Sequence, residues 1–287
     1  MLTSGIRVLP KIEFWKKIMP KILVSDIEMH YDEVGNGPPL LISTGWARAE
    51  RAFIQHRELL AKDFRCIRHD HRGIGASDAP DQPYSIEEMA DDLAGLLDKL
   101  EIPRCRVLGG GGMGALVCME LAIRHPEKVS ALILGSPCLK VDNFLYEVLH
   151  TWKELRRLDP VLWAREVTLW CYAPETFNNR PDIPAGAARA RGGEQTFVYP
   201  WAFDRLVDAY CSYDASGRAA QIACPTLVTS GGEQDMITGP RFAREVQRVI
   251  PNSRLHVFEG TSHNFWVEAF DDWGTEIRNF LLTNGND

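Results

Sequence analysis

The sequence lacks any apolar run of the roughly 18 residues that a membrane-spanning helix needs. It also shows no apolar segment followed by a small-residue cleavage site near its start, so we expect no secretory signal. The excess of basic residues that is typical of nucleic-acid-binding domains is absent too, because 32 Lys and Arg stand against 39 Asp and Glu. We therefore expect neither a membrane span nor a nucleic-acid partner.

Two further absences concern cofactors. The seven cysteines form no Cys-x-x-Cys pair and accompany no paired histidines, which argues against a disulfide framework and against a zinc site. The glycine-rich run at 109–112 is not followed by Lys-Ser or Lys-Thr, so it is not a phosphate-binding P-loop. We therefore predict no metal and no other cofactor, and a reducing, cytoplasmic location.

The patterns that are present alternate between strand and helix. Helical spacing of apolar residues occurs at 85–100, where Ser85 to Glu88 fits a capping box, and at 113–125. Short β-type runs occur at 27–34, 39–43, 64–69, 105–108, 129–134, 226–229 and 255–258. This alternation indicates an α/β fold with a mainly parallel sheet that helices cover on both faces.

Residues 139–218 interrupt the alternation, because they hold four of the eight Trp residues and no clear β-type run. We predict a helical cap at 139–218, a core at 23–138 and 219–287, and an N-terminal extension at 1–22. The extension is expected to pack on the domain, with a surface- or partner-binding arm as the alternative. The aromatic residues of the cap favour a small-molecule substrate that is apolar or contains a ring.

Four short motifs occur in a definite order along the chain. They lie at 69–78 (HDHRGIGASD), 107–126 (VLGGGGMGALVCMELAIRHP), 225–235 and 260–264. Together they resemble the α/β-hydrolase superfamily, in which a Gly-x-Ser-x-Gly elbow joins a strand to a helix. The resemblance implies a mainly parallel, doubly wound sheet of the α/β-hydrolase type with an inserted helical cap.

The same resemblance implies the positions of a catalytic site. The family order of nucleophile, acid and histidine falls on Gly112, Asp235 and His263. In such a site the histidine activates the nucleophile, and the acid fixes its tautomer. The implied oxyanion donors are the backbone amides of Met113, after the elbow, and Trp46, in the loop after the third strand.

Gly112 departs from the family pattern, since glycine has no side chain that could attack a carbonyl group. The strained backbone of an elbow accepts glycine readily, so the fold tolerates it. Three explanations stay open: a natural Ser replaced by Gly in a knock-out variant, a natural Asp as in epoxide hydrolases and haloalkane dehalogenases, or a native Gly with His263 as acid and base.

We accordingly predict a hydrolase for an ester, lactone or related carbonyl substrate whose nucleophile position is Gly112. The first alternative is a non-hydrolytic enzyme (a lyase, cyclase, decarboxylase or cofactor-free oxygenase) that uses His263 and Asp235 as acid and base. The second is a ligand-binding protein without catalysis. Ser77 also lies in a near match to the serine motif, but the resemblance assigns it to a structural turn.

Overall fold

A computed structural model describes residues 20–46, 54–192 and 199–285. Its eight strands form one sheet in the order β1-β2-β4-β3-β5-β6-β7-β8. They are β1 (Lys21–Val24), β2 (Ile27–Val34), β3 (Pro39–Ser43), β4 (Arg65–His69), β5 (Cys105–Gly109), β6 (Val129–Gly135), β7 (Thr226–Gly231) and β8 (Ser253–Phe258). The β1–β2 and β2–β4 pairs are antiparallel and the other pairs are parallel, so the sheet is mainly parallel as predicted.

The central strands are buried on both faces. Every residue of β5, β6 and β7 is buried, which explains why β6, the longest of the three, is a nearly continuous apolar run in the sequence. Two clusters of apolar side chains pack on the sheet. The arrangement is the doubly wound α/β sheet that the sequence predicts.

Helices connect the strands of the sheet and extend beyond β8. Those outside the β6–β7 connection are α1 (Ile54–Leu60), α2 (Ile86–Lys99), α3 (Met113–Arg124), α9 (Pro240–Val249), α10 (Phe265–Glu268) and α11 (Phe270–Thr283), with a 3-10 turn at Pro126–Lys128. Ser85 caps α2 as predicted, because its side chain accepts a hydrogen bond from the Glu88 amide at 3.0 Å. No helix in the described ranges has the length and apolar character needed to cross a bilayer.

Between β6 and β7, the described residues form a 3-10 turn at Ala219–Gln221 and five α-helices. They are α4 (Asn143–Leu158), α5 (Pro160–Cys171), α6 (Pro174–Asn179), α7 (Asp182–Gly192) and α8 (Pro200–Ser212). An antiparallel bridge between Lys140 and Asp214, with the Ala215 amide donating to the Leu139 carbonyl at 2.9 Å, joins the two ends of this connection. The helices therefore leave and rejoin the sheet at one place, inside the segment 139–218 that the sequence predicts as a cap.

The first strand was not predicted. β1 begins at Lys21, within the last two residues of the predicted extension at 1–22, and the rest of that extension (1–19) lies outside the described residues. β1 pairs with β2 through a turn in which Ser25 has a φ of 47°. Since the turn contains no glycine or proline, the sequence carries no strong turn signal there.

The sheet order determines where the site lies. In a parallel sheet the carboxyl ends of the strands meet at one edge, where crevice sites of open α/β folds occur. Trp46 follows β3, Gly112 follows β5, Asp235 follows β7 and His263 follows β8. The sequence-predicted site residues therefore all stand at the same edge of the sheet.

Candidate active site

The turn between β5 and α3, called the elbow below, has a backbone that glycine adopts more readily than other residues. Gly112 precedes the first residue of α3 with φ 67° and ψ −83°, a region that residues with side chains rarely adopt. The start of α3 also packs closely on the end of β3, because a Cβ on Gly114 would lie 2.6 Å from the Ser43 carbonyl oxygen. Glycine at these two positions thus permits the positive φ at the turn and the close approach of the helix to the strand.

The loop after β3 lies directly against the elbow. A Cβ on Gly45 would lie 2.2 Å from the Gly111 carbonyl oxygen, so the two backbones are in close contact. The Trp46 indole Nε1 also donates a hydrogen bond to the Met113 Sδ at 2.9 Å. The structure thereby brings together the two residues whose backbone amides are the predicted oxyanion donors.

Asp235 and His263 form a hydrogen-bonded pair. The His263 Nδ1 lies 3.2 Å from the Asp235 Oδ2, and the carboxylate is almost fully buried. The amides of Ile237 and Thr238 donate to the other carboxylate oxygen at 2.9 and 3.1 Å. Because these amides hold the carboxylate in one orientation, the imidazole beside it is held with its Nε2 directed away from Asp235.

A second group contacts the same ring nitrogen of the histidine. The Thr238 Oγ1 lies 3.2 Å from the His263 Nδ1, as far away as the carboxylate oxygen. The edge of the Trp266 ring faces the imidazole, with ring centroids 6.0 Å apart. The imidazole is therefore positioned from both the β7 loop and α10.

One side chain of the site was not singled out by sequence. The Tyr210 hydroxyl, from α8, lies 3.3 Å from the position that a Cβ on Gly112 would take. The Tyr210 ring stands edge-on to Trp46 at 5.7 Å, and Phe203 packs on Trp46 at 5.4 Å. Tyr210 is one of many aromatic residues between 139 and 218, and no local pattern distinguishes it from the others.

Ser77, the other match to a serine motif, is engaged elsewhere. Its hydroxyl donates to the Asp70 carbonyl oxygen at 2.6 Å and accepts from the His30 amide at 2.8 Å. The side chain is buried in the turn after β4. Both hydrogen bonds hold backbone segments together, which leaves the hydroxyl a structural role.

His71 lies beneath the loop that carries Trp46. Its Nε2 lies 3.1 Å from the Thr44 carbonyl oxygen and 3.0 Å from the Ser43 Oγ. Burial lowers the pKa of His71 from 6.5 to about 4, although the hydrogen bond to Thr44 opposes this shift. The native protein therefore keeps His71 neutral under conditions that protonate it in the unfolded chain.

The free energy of unfolding is expected to fall as the pH drops from 6.5 towards 4, because the unfolded chain then binds a proton that native His71 does not. The stability that neutral His71 confers is fully present above pH 6.5. Below that pH, this group lowers the free energy of unfolding by about 1.4 kcal/mol per pH unit. Burial also lowers the pKa of His56 to about 4, so His56 makes the free energy of unfolding fall more steeply with decreasing pH. Urea denaturation of wild type and His71→Asn between pH 7 and 5 measures the effect. The variant should show the shallower slope, and equal slopes would contradict the assignment.

Within the described ranges, no three His, Cys, Asp or Glu side chains cluster in a way that would hold a metal ion. The arrangement contains instead an acid–histidine pair, two backbone segments in contact at an elbow, and a tyrosine hydroxyl. Such groups can move protons and stabilise a developing oxyanion. They suit chemistry at a carbonyl group.

Comparison with known proteins agrees with this architecture. The model of the alpha/beta hydrolase family matches residues 35–274. A putative carbamate hydrolase of Azorhizobium caulinodans is 27% identical over 252 residues, which cover 86% of this chain and 92% of the relative. A putative non-heme bromoperoxidase of Mycobacterium tuberculosis is 30% identical over 269 residues, which cover 90% of this chain and 98% of the relative.

Solved structures support the same assignment. The enol-lactonase from Burkholderia xenovorans superposes with a TM-score of 0.83 at 26% identity, over 92% of this chain and 100% of the other. A thermophilic esterase from Thermogutta terrifontis gives 0.82 at 26% identity, over 93% and 99%. The predicted fold class is thereby confirmed, and the chain belongs to the alpha/beta hydrolase family.

Proposed function

We propose that this protein hydrolyses an ester, a lactone or a related carbonyl compound at the elbow. The observation that carries the proposal is the Asp235–His263 hydrogen bond of 3.2 Å at the sheet edge that also holds Gly112. An acid–histidine pair beside an elbow is the part of a hydrolase site that activates an attacking oxygen. The names of the relatives, an enol-lactonase and a putative carbamate hydrolase, support substrates of this class.

The proposed reaction uses water as the nucleophile, because Gly112 supplies none. The His263 Nε2 accepts a proton from water as its oxygen bonds to the carbonyl carbon, and Asp235 stabilises the imidazolium. The amides of Trp46 and Met113 hold the oxyanion. The bond to the leaving oxygen then breaks, and His263 returns the proton to that oxygen.

The substrate is proposed to be apolar or to contain a ring. Trp46, Phe203 and Trp163 form a chain of edge-to-face aromatic contacts leading from the elbow into the helices between β6 and β7. Aromatic walls of this kind favour apolar ligands. We propose that residues 139–218 are the cap that supplies this wall, over a core of 23–138 and 219–287.

His263→Ala is expected to lower the rate of hydrolysis by about 10²- to 10⁴-fold, because it removes the general base. The rate is measured with p-nitrophenyl butyrate and with dihydrocoumarin, against buffer and wild type. His256→Ala is the matched control, since it removes an imidazole from β8 that pairs with Glu276 instead of the site. Equal rates for His263→Ala and wild type would overturn the proposal.

A non-hydrolytic acid–base reaction is the second candidate. It is favoured by one observation: Gly112 offers no nucleophile while the Asp235–His263 pair is intact. An elimination, cyclisation, decarboxylation or cofactor-free oxygenation would use His263 to move a proton and would need no residue at the elbow. In that case His263→Ala abolishes turnover of the substrate, and Gly112→Ser brings no gain in ester hydrolysis.

A further inference from the structure

The Tyr210 hydroxyl occupies the space next to the position of the missing nucleophile. It lies 3.3 Å from a Cβ built on Gly112, while the nearest ring carbon is 3.7 Å away. The hydroxyl is thus the part of Tyr210 that approaches the elbow most closely. An oxygen beside Gly112, a few tenths of an ångström closer to the Tyr210 hydroxyl than that Cβ, would lie at O–H···O hydrogen-bond distance.

The hydroxyl has capacity for such a contact. Within the part of the chain that the structure describes, its hydrogen-bond partner is the Cys138 Sγ at 3.6 Å. Thiols are weak partners, so this contact leaves most of the hydrogen-bonding capacity of the hydroxyl free for another group. Burial, followed by the effect of Cys138, raises the pKa of Tyr210 well above its usual range, so the phenol keeps its proton.

The Tyr210 ring is held in place by aromatic packing. It stands edge-on to Trp46 at 5.7 Å, and Trp46 is itself tied to the elbow through Met113 at 2.9 Å. This packing holds the Tyr210 hydroxyl beside the elbow.

We propose that the Tyr210 hydroxyl holds the attacking water beside Gly112, where a serine hydroxyl would otherwise stand. This inference rests on the proposed function. One hydrogen of the water is donated to the Tyr210 Oη and the other to the His263 Nε2, so a lone pair of the water faces the carbonyl carbon. The new carbon–oxygen bond forms as His263 takes its proton. Tyr210 gives up no proton, and the proton on His263 leaves with the alcohol product.

The inference predicts different effects of one substitution in two backgrounds. With Gly112, Tyr210→Phe removes the hydroxyl that holds the water but keeps the ring packing. In the Gly112→Ser variant, the nucleophile is covalently fixed and the tyrosine hydroxyl becomes a close neighbour that must yield by a few tenths of an ångström. The same Tyr210→Phe change then removes only a crowded contact.

The test compares wild type, Tyr210→Phe, Gly112→Ser and the double variant on p-nitrophenyl butyrate. With Gly112, Tyr210→Phe is expected to lower kcat by about 10-fold, the value of one lost hydrogen bond, with KM changed less than about 2-fold. In the Gly112→Ser background, it is expected to leave kcat unchanged or raise it. Tyr146→Phe, which removes a hydroxyl from an exposed tyrosine of α4, is the matched control.

An unchanged kcat for Tyr210→Phe in the Gly112 background would overturn the inference. Equal losses in both backgrounds would overturn it too, since they would indicate a merely structural hydroxyl. If Gly112→Ser does not fold, the inference is tested by comparing kcat and KM of Tyr210→Phe with those of Tyr146→Phe. A loss of kcat in Tyr210→Phe alone supports the inference, and equal values overturn it. Failure of the proposed function is distinguishable: wild type then fails to exceed His263→Ala whatever residue stands at 210, and both proposals fall.

Discussion

Gly112→Ser is expected to hydrolyse p-nitrophenyl butyrate at least about 100-fold faster than wild type, with an initial burst of p-nitrophenol. The substitution supplies a hydroxyl at the residue that precedes α3, beside the loop of Trp46 and on the sheet edge of His263. A covalently positioned nucleophile avoids the loss of entropy that fixing a free water requires. It also splits one difficult step into two easier ones, which produces the burst.

The backbone at residue 112 is expected to accept the serine. Its φ of 67° implies a strain of about 1 to 3 kcal/mol for a residue with a side chain. The same fold already holds a serine at a positive φ, because Ser136 after β6 has a φ of 55°. The variant should therefore fold, with a midpoint of thermal unfolding a few degrees below that of wild type.

Gly112→Ala is the control for this prediction. It introduces the same backbone strain and the same contact between the Cβ and the Tyr210 hydroxyl at 3.3 Å, but no nucleophile. It should show neither the burst nor the gain in rate. A gain in Gly112→Ala equal to that in Gly112→Ser would contradict the assignment of residue 112 as the nucleophile position.

Asp235→Asn in the Gly112→Ser background is expected to lower kcat by about 10²- to 10⁴-fold. The carboxylate accepts from the His263 Nδ1 side and from the amides of Ile237 and Thr238. An asparagine that keeps the two amide bonds presents its NH₂ group to the Nδ1, which reverses the hydrogen bond and selects the wrong tautomer of the histidine. The general base at Nε2 is then lost while the geometry is kept.

Thr238→Val provides the matched control for Asp235→Asn. Thr238→Val removes the hydroxyl that lies 3.2 Å from the same His263 nitrogen. The substitution removes no charge and keeps the shape of the side chain. A loss of less than about 10-fold is expected, the value of one neutral hydrogen bond. If Thr238→Val lowered kcat more than Asp235→Asn, the acid of the site would be wrongly assigned. Steady-state kinetics of the two double variants make the comparison.

The features that could be predicted from sequence are those with local signals. The buried strand β6 is an apolar run, and the cap of α2 depends on Ser85 and Glu88 alone. Asp235 and His263 lie in short loop motifs whose resemblance to the α/β-hydrolase superfamily implies their roles, and parallel strands bring such loops to one sheet edge. The structure places these two side chains 3.2 Å apart.

The features that sequence could not predict depend on tertiary contacts. β1 is four residues long and is defined by its pairing with β2, which no periodicity reveals. Tyr210 becomes part of the site because α8 packs its ring against Trp46 and so places its hydroxyl at the elbow. Many aromatic residues of that segment have equal apolar character, so only the packing of the helices selects one of them.

The measurement that tests the site most directly is peptide mass spectrometry after treatment with a fluorophosphonate, a reagent for activated serine. Three proteins are compared: wild type, Gly112→Ser, and Gly112→Ser combined with His263→Ala. If residue 112 is the nucleophile position and His263 its base, the adduct forms on residue 112 of Gly112→Ser and in neither of the other two. An adduct that forms equally well without His263, or on another residue in all three proteins, would contradict the site.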